Sequence, residues 1–99
     1  MNSEIIELAT FRLKAGVTEE QFLAEDSNVE KDHIVKQPGF ISRETARGED
    51  GECLVVVHWR SAADADASMN SFSSAPGASA YMSLMDSATL KMKRYGKVA

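Results

Sequence analysis

The sequence predicts an α+β fold in which four antiparallel strands form one sheet and both helices cover the same face, with βαββαβ connectivity. Three observations lead there. Four segments rich in β-forming residues are separated by turn signals, two of those segments are followed by helix-capping signatures, and the middle two are joined by a short Gly-bounded loop.

Ile5 to Leu13 is rich in β-formers and closes at Gly16, so it reads as the first strand. Thr18-Glu19-Glu20-Gln21 matches a capping box, in which two side chains satisfy backbone N–H groups orphaned at a helix start. The helix is expected to run to about Lys36, because Pro38 disfavours helical geometry at Gln37 and Gly39 completes the break. Phe40 to Arg47 alternates around Ile41, Arg43 and Thr45, and Gly48-Glu49-Asp50-Gly51 turns the chain into Cys53 to Trp59. These are the second and third strands. Ser61-Ala62-Ala63-Asp64 caps a second helix, Pro76-Gly77 interrupts it, and Ala78 to Met85 reads as a further short helical piece. Ala88 to Tyr95 alternates Leu90, Met92 and Arg94 against Lys91, Lys93 and Tyr95 and forms the fourth strand. This order is the ferredoxin-like arrangement, with strands one and three central and the Lys-bearing fourth strand at an edge.

A sheet covered on one face only should be apolar at one parity. Strand three is apolar at both: Cys53, Val55, Val57 and Trp59 on one side, Leu54 and Val56 on the other. Strand one repeats the pattern with Ile6 and Leu8 against Ile5, Ala9 and Phe11. Leaving groups of this size wet forfeits about 1.5–3 kcal/mol each, so a second copy packed sheet to sheet is expected, giving a homodimer with an α+β barrel at its interface.

The 99 residues suit a single domain spanning 1–99, and 43% hydrophobic with 26% charged residues is an ordinary globular composition. A net charge of -4 opposes phosphate-driven binding, so no nucleic-acid partner is expected. The segment Met1 to Glu7 lacks the features of a secretory signal, and the longest apolar run is only Leu54 to Val57. The expectation is a cytoplasmic protein without membrane association. Cys53, the single cysteine, has no basic neighbour in sequence to activate it, and no Cys/His spacing suggests a metal.

The segments Phe11-Arg12-Leu13-Lys14-Ala15-Gly16, Gln37-Pro38-Gly39-Phe40 and Val57-His58-Trp59-Arg60-Ser61, in this element order, resemble the dimeric α+β-barrel superfamily and within it the antibiotic-biosynthesis-monooxygenase-like domains. The likeness extends over nearly the whole chain. It implies a homodimer with one pocket per subunit between sheet and helices and, in enzymatic members, oxygenation of phenols or quinones without a cofactor. The haem-degrading branch is similar in fold but relies on an Asn, a Trp and a His at positions that correspond to Ala9, Ser68 and about Ala78, so haem degradation is disfavoured.

Candidate site residues follow from chemistry and placement, each beside a structural alternative. Trp59 offers a face for stacking on an aromatic ligand or plugs the core. His58, at the opposite parity, could deprotonate a phenol or rest in the dimer interface. Phe22, Asp26, Val29 and His33 recur at helical spacing on one stripe, so Asp26 and His33 would project polar groups into a cavity beside Phe22, or lie at the stripe's border and reach water. Met69, Phe72, Tyr81, Met82 and Met85 would form an adaptable lid or simply core. Arg43 could hold an anion or stand exposed on its strand. The resulting expectation is a cofactor-independent monooxygenase for a small aromatic, phenolic metabolite, with Asp26, His33 or His58 catalytic. The alternative is a non-catalytic dimer that binds a small ligand or scaffolds a pathway. A cavity of about 300 Å³ or more, lined by Asp26 and His33, would favour a ligand.

Overall fold

The structure, a computed structural model, describes residues 4–99. Met1, Asn2 and Ser3, part of the segment read for an export signal, lie outside the described residues. The element order is β1 (Ile5–Leu13), α1 (Glu19–Asp32), a 3-10 turn (Ile34–Lys36), β2 (Phe40–Arg47), β3 (Cys53–Trp59), α2 (Ala62–Phe72), α3 (Ala78–Ser83) and β4 (Met85–Gly96). The strands form one antiparallel sheet in the order β2-β3-β1-β4, with the helices on one face, which is the predicted ferredoxin-like arrangement.

The caps form as the sequence dictates. The Thr18 hydroxyl accepts from the Gln21 backbone N–H at 3.1 Å and the Gln21 side chain accepts from the Thr18 N–H at 2.9 Å, while the Ser61 hydroxyl accepts from the Asp64 N–H at 3.1 Å. The first helix ends earlier than predicted. His33 leaves helical geometry at φ -132°, ψ -59°, and the chain tightens into the 3-10 turn before the extended Gln37 that precedes Pro38. The short helix α3 also ends before Met85, which opens a longer β4 than the alternation at Ala88 suggested. Strand β4 shifts register against β1 between Thr10 and Arg12, where the Arg12 N–H turns to the Thr89 hydroxyl at 2.8 Å.

Gly39 is needed where it stands. Its φ is +80°, a side chain there would collide with Asp64, and its carbonyl accepts from Arg60 N–H at 2.8 Å, so the Pro-Gly-Phe turn is locked against the start of α2.

The inner sheet face carries Phe11, Cys53, Val55, Val57 and Trp59, which pack under Phe22, Val29, Ala65 and Tyr81 as the core. Aromatic rings knit it together: Phe22 stands 5.6 Å from Phe11, edge to face, and 5.6 Å from Tyr81, stacked. The outer face carries Ile6, Leu8, Leu54 and Val56 at its centre, all only part-buried, with no helix over them among the described residues.

Candidate ligand cavity

Between the sheet and the helices α2 and α3 lies a cavity of about 140 Å³. Its floor is the inner sheet face, with Ala9, Phe11, Val55, Val57 and Trp59. Phe72, Tyr81 and Ile34 form a wall, and four of the chain's five methionines, Met69, Met82, Met85 and Met92, complete the lining. Met69, Met82 and Met92 are exposed on their outer sides. Unbranched thioethers there adapt to irregular shapes more readily than branched side chains would. Polar groups are few: Glu7, Arg43, Ser68 and the Tyr81 hydroxyl, besides the Trp59 indole N–H.

Two ionic clusters border this space. In the first, Arg43 projects from β2 onto the inner face, because its register partner is Val57, and its side chain is only 4% exposed. Its Nη2 and Nη1 donate to the two Asp26 oxygens at 2.8 and 3.2 Å, and Nη1 also reaches Glu30 at 3.2 Å. The Tyr81 hydroxyl donates to Asp26 Oδ1 at 2.6 Å and the Thr45 hydroxyl to Oδ2 at 2.9 Å. Burial alone would raise the Asp26 carboxyl, but the bonds from Arg43, Tyr81 and Thr45 outweigh it and hold the group below its ordinary value. Burial, and then the neighbouring Asp26 charge, push the Tyr81 phenol far above its ordinary value.

The second cluster centres on Glu7, on the inner face of β1 opposite Val57 and Arg94. Arg94 Nε donates to Glu7 Oε2 at 2.9 Å, and the Trp59 Nε1–H reaches Glu7 Oε1 at a long 3.4 Å. Arg94 also holds Asp66 of α2 through Nη1.

The structure brings Trp59, Met69, Phe72, Tyr81 and Met82 to the cavity lining. It does not bring Phe22, Asp26 or His33 to the lining. Asp26 is buried with Phe22 and Val29 on the predicted stripe, but its oxygens are taken by Arg43, Tyr81 and Thr45. His33 is at the end of α1, where its Nε2 lies 3.1 Å from the Ser71 hydroxyl and its Nδ1 3.4 Å from Gln37 Nε2. His58 is on the outer sheet face, paired with Ile6 and Ser42, with its backbone between the inward Val57 and Trp59. The cavity is therefore smaller than the one anticipated and is framed by different polar residues. Arg43 is buried in an ion pair rather than exposed on its strand. Cys53 is buried, and that burial pushes its thiol up, away from reactivity.

Glu7 and the role of Arg43 were missed in the sequence. Glu7 could have been found, since a lone carboxylate at the parity of Ile5, Ala9 and Phe11 must point into the core. Its partners Trp59 and Arg94 lie 52 and 87 positions away, a pairing that no local pattern encodes.

No protein-family model matches the sequence, and no curated protein does either. Solved structures do match. SnoaB of Streptomyces nogalater, a cofactor-independent oxygenase, superposes with a TM-score of 0.80 at 15% identity over 98% of this chain and 95% of its own. Rv0793 of Mycobacterium tuberculosis gives 0.72 at 16% identity, covering 98% and 97%. A candidate antibiotic biosynthesis monooxygenase of Chloroflexus aurantiacus gives 0.69 at 18%, covering 98% and 95%. At these identities the likeness is one of fold. Along nearly its whole length, the chain has the fold of antibiotic-biosynthesis-monooxygenase-like structures, as its short motifs suggested.

Proposed function

We propose that the protein is a cofactor-independent monooxygenase that takes a small aromatic, phenolic metabolite into the cavity between its sheet and helices. One observation carries the reading: the fold forms an almost wholly apolar, half-open space, floored by the chain's single tryptophan and bounded by Phe72, Tyr81 and four methionines. Such a lining favours an aromatic ring over water and holds it by its faces and edges. Similarity in fold to SnoaB supports the reaction class. With no cofactor, all four electrons that O₂ accepts come from the substrate: the ring carbon para to the hydroxyl goes from C–H to C=O as the phenol becomes a quinone, one atom of O₂ enters the product, and the other leaves as water with the ring and hydroxyl hydrogens. Oxygen uptake with single-ring and fused-ring phenols tests this. The expected result is consumption stoichiometric with product, unchanged by chelators and abolished by filling the cavity with Ala9→Trp.

The part-buried apolar strip Ile6, Leu8, Leu54 and Val56 supports a homodimer joined through the outer sheet faces, with His58 at that interface. A second reading, a non-catalytic ligand-binding dimer, draws support from the position of His33 and His58 off the cavity lining. Binding of phenols without oxygen uptake would select it.

A further inference from the structure

We propose that Glu7 is the anchoring residue of the cavity, and that it makes the site select an uncharged, single-ring aromatic bearing a hydroxyl over ring compounds that are anionic or lack a donor. The proposal deepens the reading of this cavity as a ligand site and rests on it.

Glu7 is a part of the cavity lining and is buried to 9% exposure, on the rigid central strand β1. Each of its carboxylate oxygens accepts one bond, and the bond on Oε1, from Trp59, is long at 3.4 Å. A carboxylate oxygen can accept two. Glu7 therefore has acceptor capacity left over beside an apolar space. Of the other polar groups of the lining, the Tyr81 proton goes to Asp26 and Arg43 is spread over Asp26, Glu30 and Thr45, which leaves the neutral Ser68 hydroxyl beside the charged Glu7 carboxylate. A carboxylate is a stronger acceptor than a neutral hydroxyl, so a ligand hydroxyl finds its best partner at Glu7 Oε1 rather than at Ser68, with its ring against Trp59.

Charge and size narrow the ligand further. Each ionic cluster bordering the cavity holds one arginine and two carboxylates, Arg94 with Glu7 and Asp66 and Arg43 with Asp26 and Glu30, so each carries an excess negative charge. A ligand carboxylate would be repelled and left unpaired against an apolar lining. The 140 Å³ volume is close to that of apolar cavities of about 150 Å³ known to hold a benzene ring, so one ring fits without opening the wall.

Trp59 reports occupancy by its own fluorescence, because it is the only tryptophan. Titrations of the intact protein with phenol, fluorobenzene and benzoate should give phenol binding about tenfold tighter than fluorobenzene, as a hydrogen bond to a charged acceptor supplies, and no saturable response to benzoate. In Glu7→Gln the phenol preference should fall to about threefold or less. Equal binding of phenol and fluorobenzene, or an unchanged preference in Glu7→Gln, overturns the role of Glu7 while leaving the cavity a ligand site. Failure of all three probes to bind overturns the cavity reading and the proposal with it. Should Glu7→Gln not fold, the order in the wild-type protein decides: phenol first and benzoate last supports the proposal, and any other order overturns it.

Discussion

Tyr81 of α3 donates a 2.6 Å hydrogen bond to Asp26 of α1, 55 positions earlier in the chain, and Arg43 of β2 closes the triangle by bonding both. The triangle ties α1 and α3 to the sheet beside the cavity wall, and it lies in the core rather than at the surface, so each member depends on the others.

Tyr81→Phe removes one donor from this triangle and leaves the bidentate Arg43–Asp26 pair in place. The expected loss is about 1–2 kcal/mol, a fall in melting temperature on the order of 4–16 °C by calorimetry.

Asp26→Asn should cost more, about 3 kcal/mol, because it leaves Arg43, with its side chain 4% exposed, facing only the more distant Glu30. Urea unfolding of the two variants side by side checks the order. A smaller loss for Asp26→Asn than for Tyr81→Phe would mean that the ion pair contributes little.

Stability should fall at both ends of the pH range. The Asp26 carboxyl is depressed in the folded state, so its contribution is present above the unfolded value near 4 and is lost as pH drops through the lower folded value. The Tyr81 phenol is raised, so its contribution is intact below the unfolded value near 10 and declines as pH climbs beyond it. Denaturant midpoints measured from pH 2 to 11 should show both flanks, and Tyr81→Phe should flatten the alkaline one.

Gly39→Ala forces a φ of +80° on a residue with a Cβ and drives that atom into the Asp64 side chain. A loss of about 2–3 kcal/mol is expected. Part of it should return in the Asp64→Gly background, which removes the Asp64 side-chain atoms that the new Cβ meets and leaves the backbone strain at position 39. A double-mutant cycle on melting temperature separates the two contributions.

Val56→Glu places a charge at the centre of the outer sheet face. If two copies meet there, like charges approach each other across the two-fold axis, and sedimentation should show the dimer dissociating at concentrations at least about 100-fold higher than for the unsubstituted chain. An unshifted sedimentation profile would place the interface elsewhere.

What the sequence determined by itself is the local structure and the sidedness of the strands. The capping box at Thr18, the N-cap at Ser61, the Pro38-Gly39 break and the period-two alternation in β3 act through neighbours within a few residues, so each is legible one segment at a time. The sidedness of Trp59 and His58 followed from the same alternation. The tertiary structure alone decided which polar groups would share a space. Asp26 lies on the stripe that the helical period picked out, yet Arg43 arrives from a strand 17 positions on and consumes it. Glu7, which stood on the inner parity all along, meets Arg94 only because β4 returns beside β1. Pairings of that kind are set by the order of strands in the sheet and by the packing of helices across it, and those are properties of the whole chain.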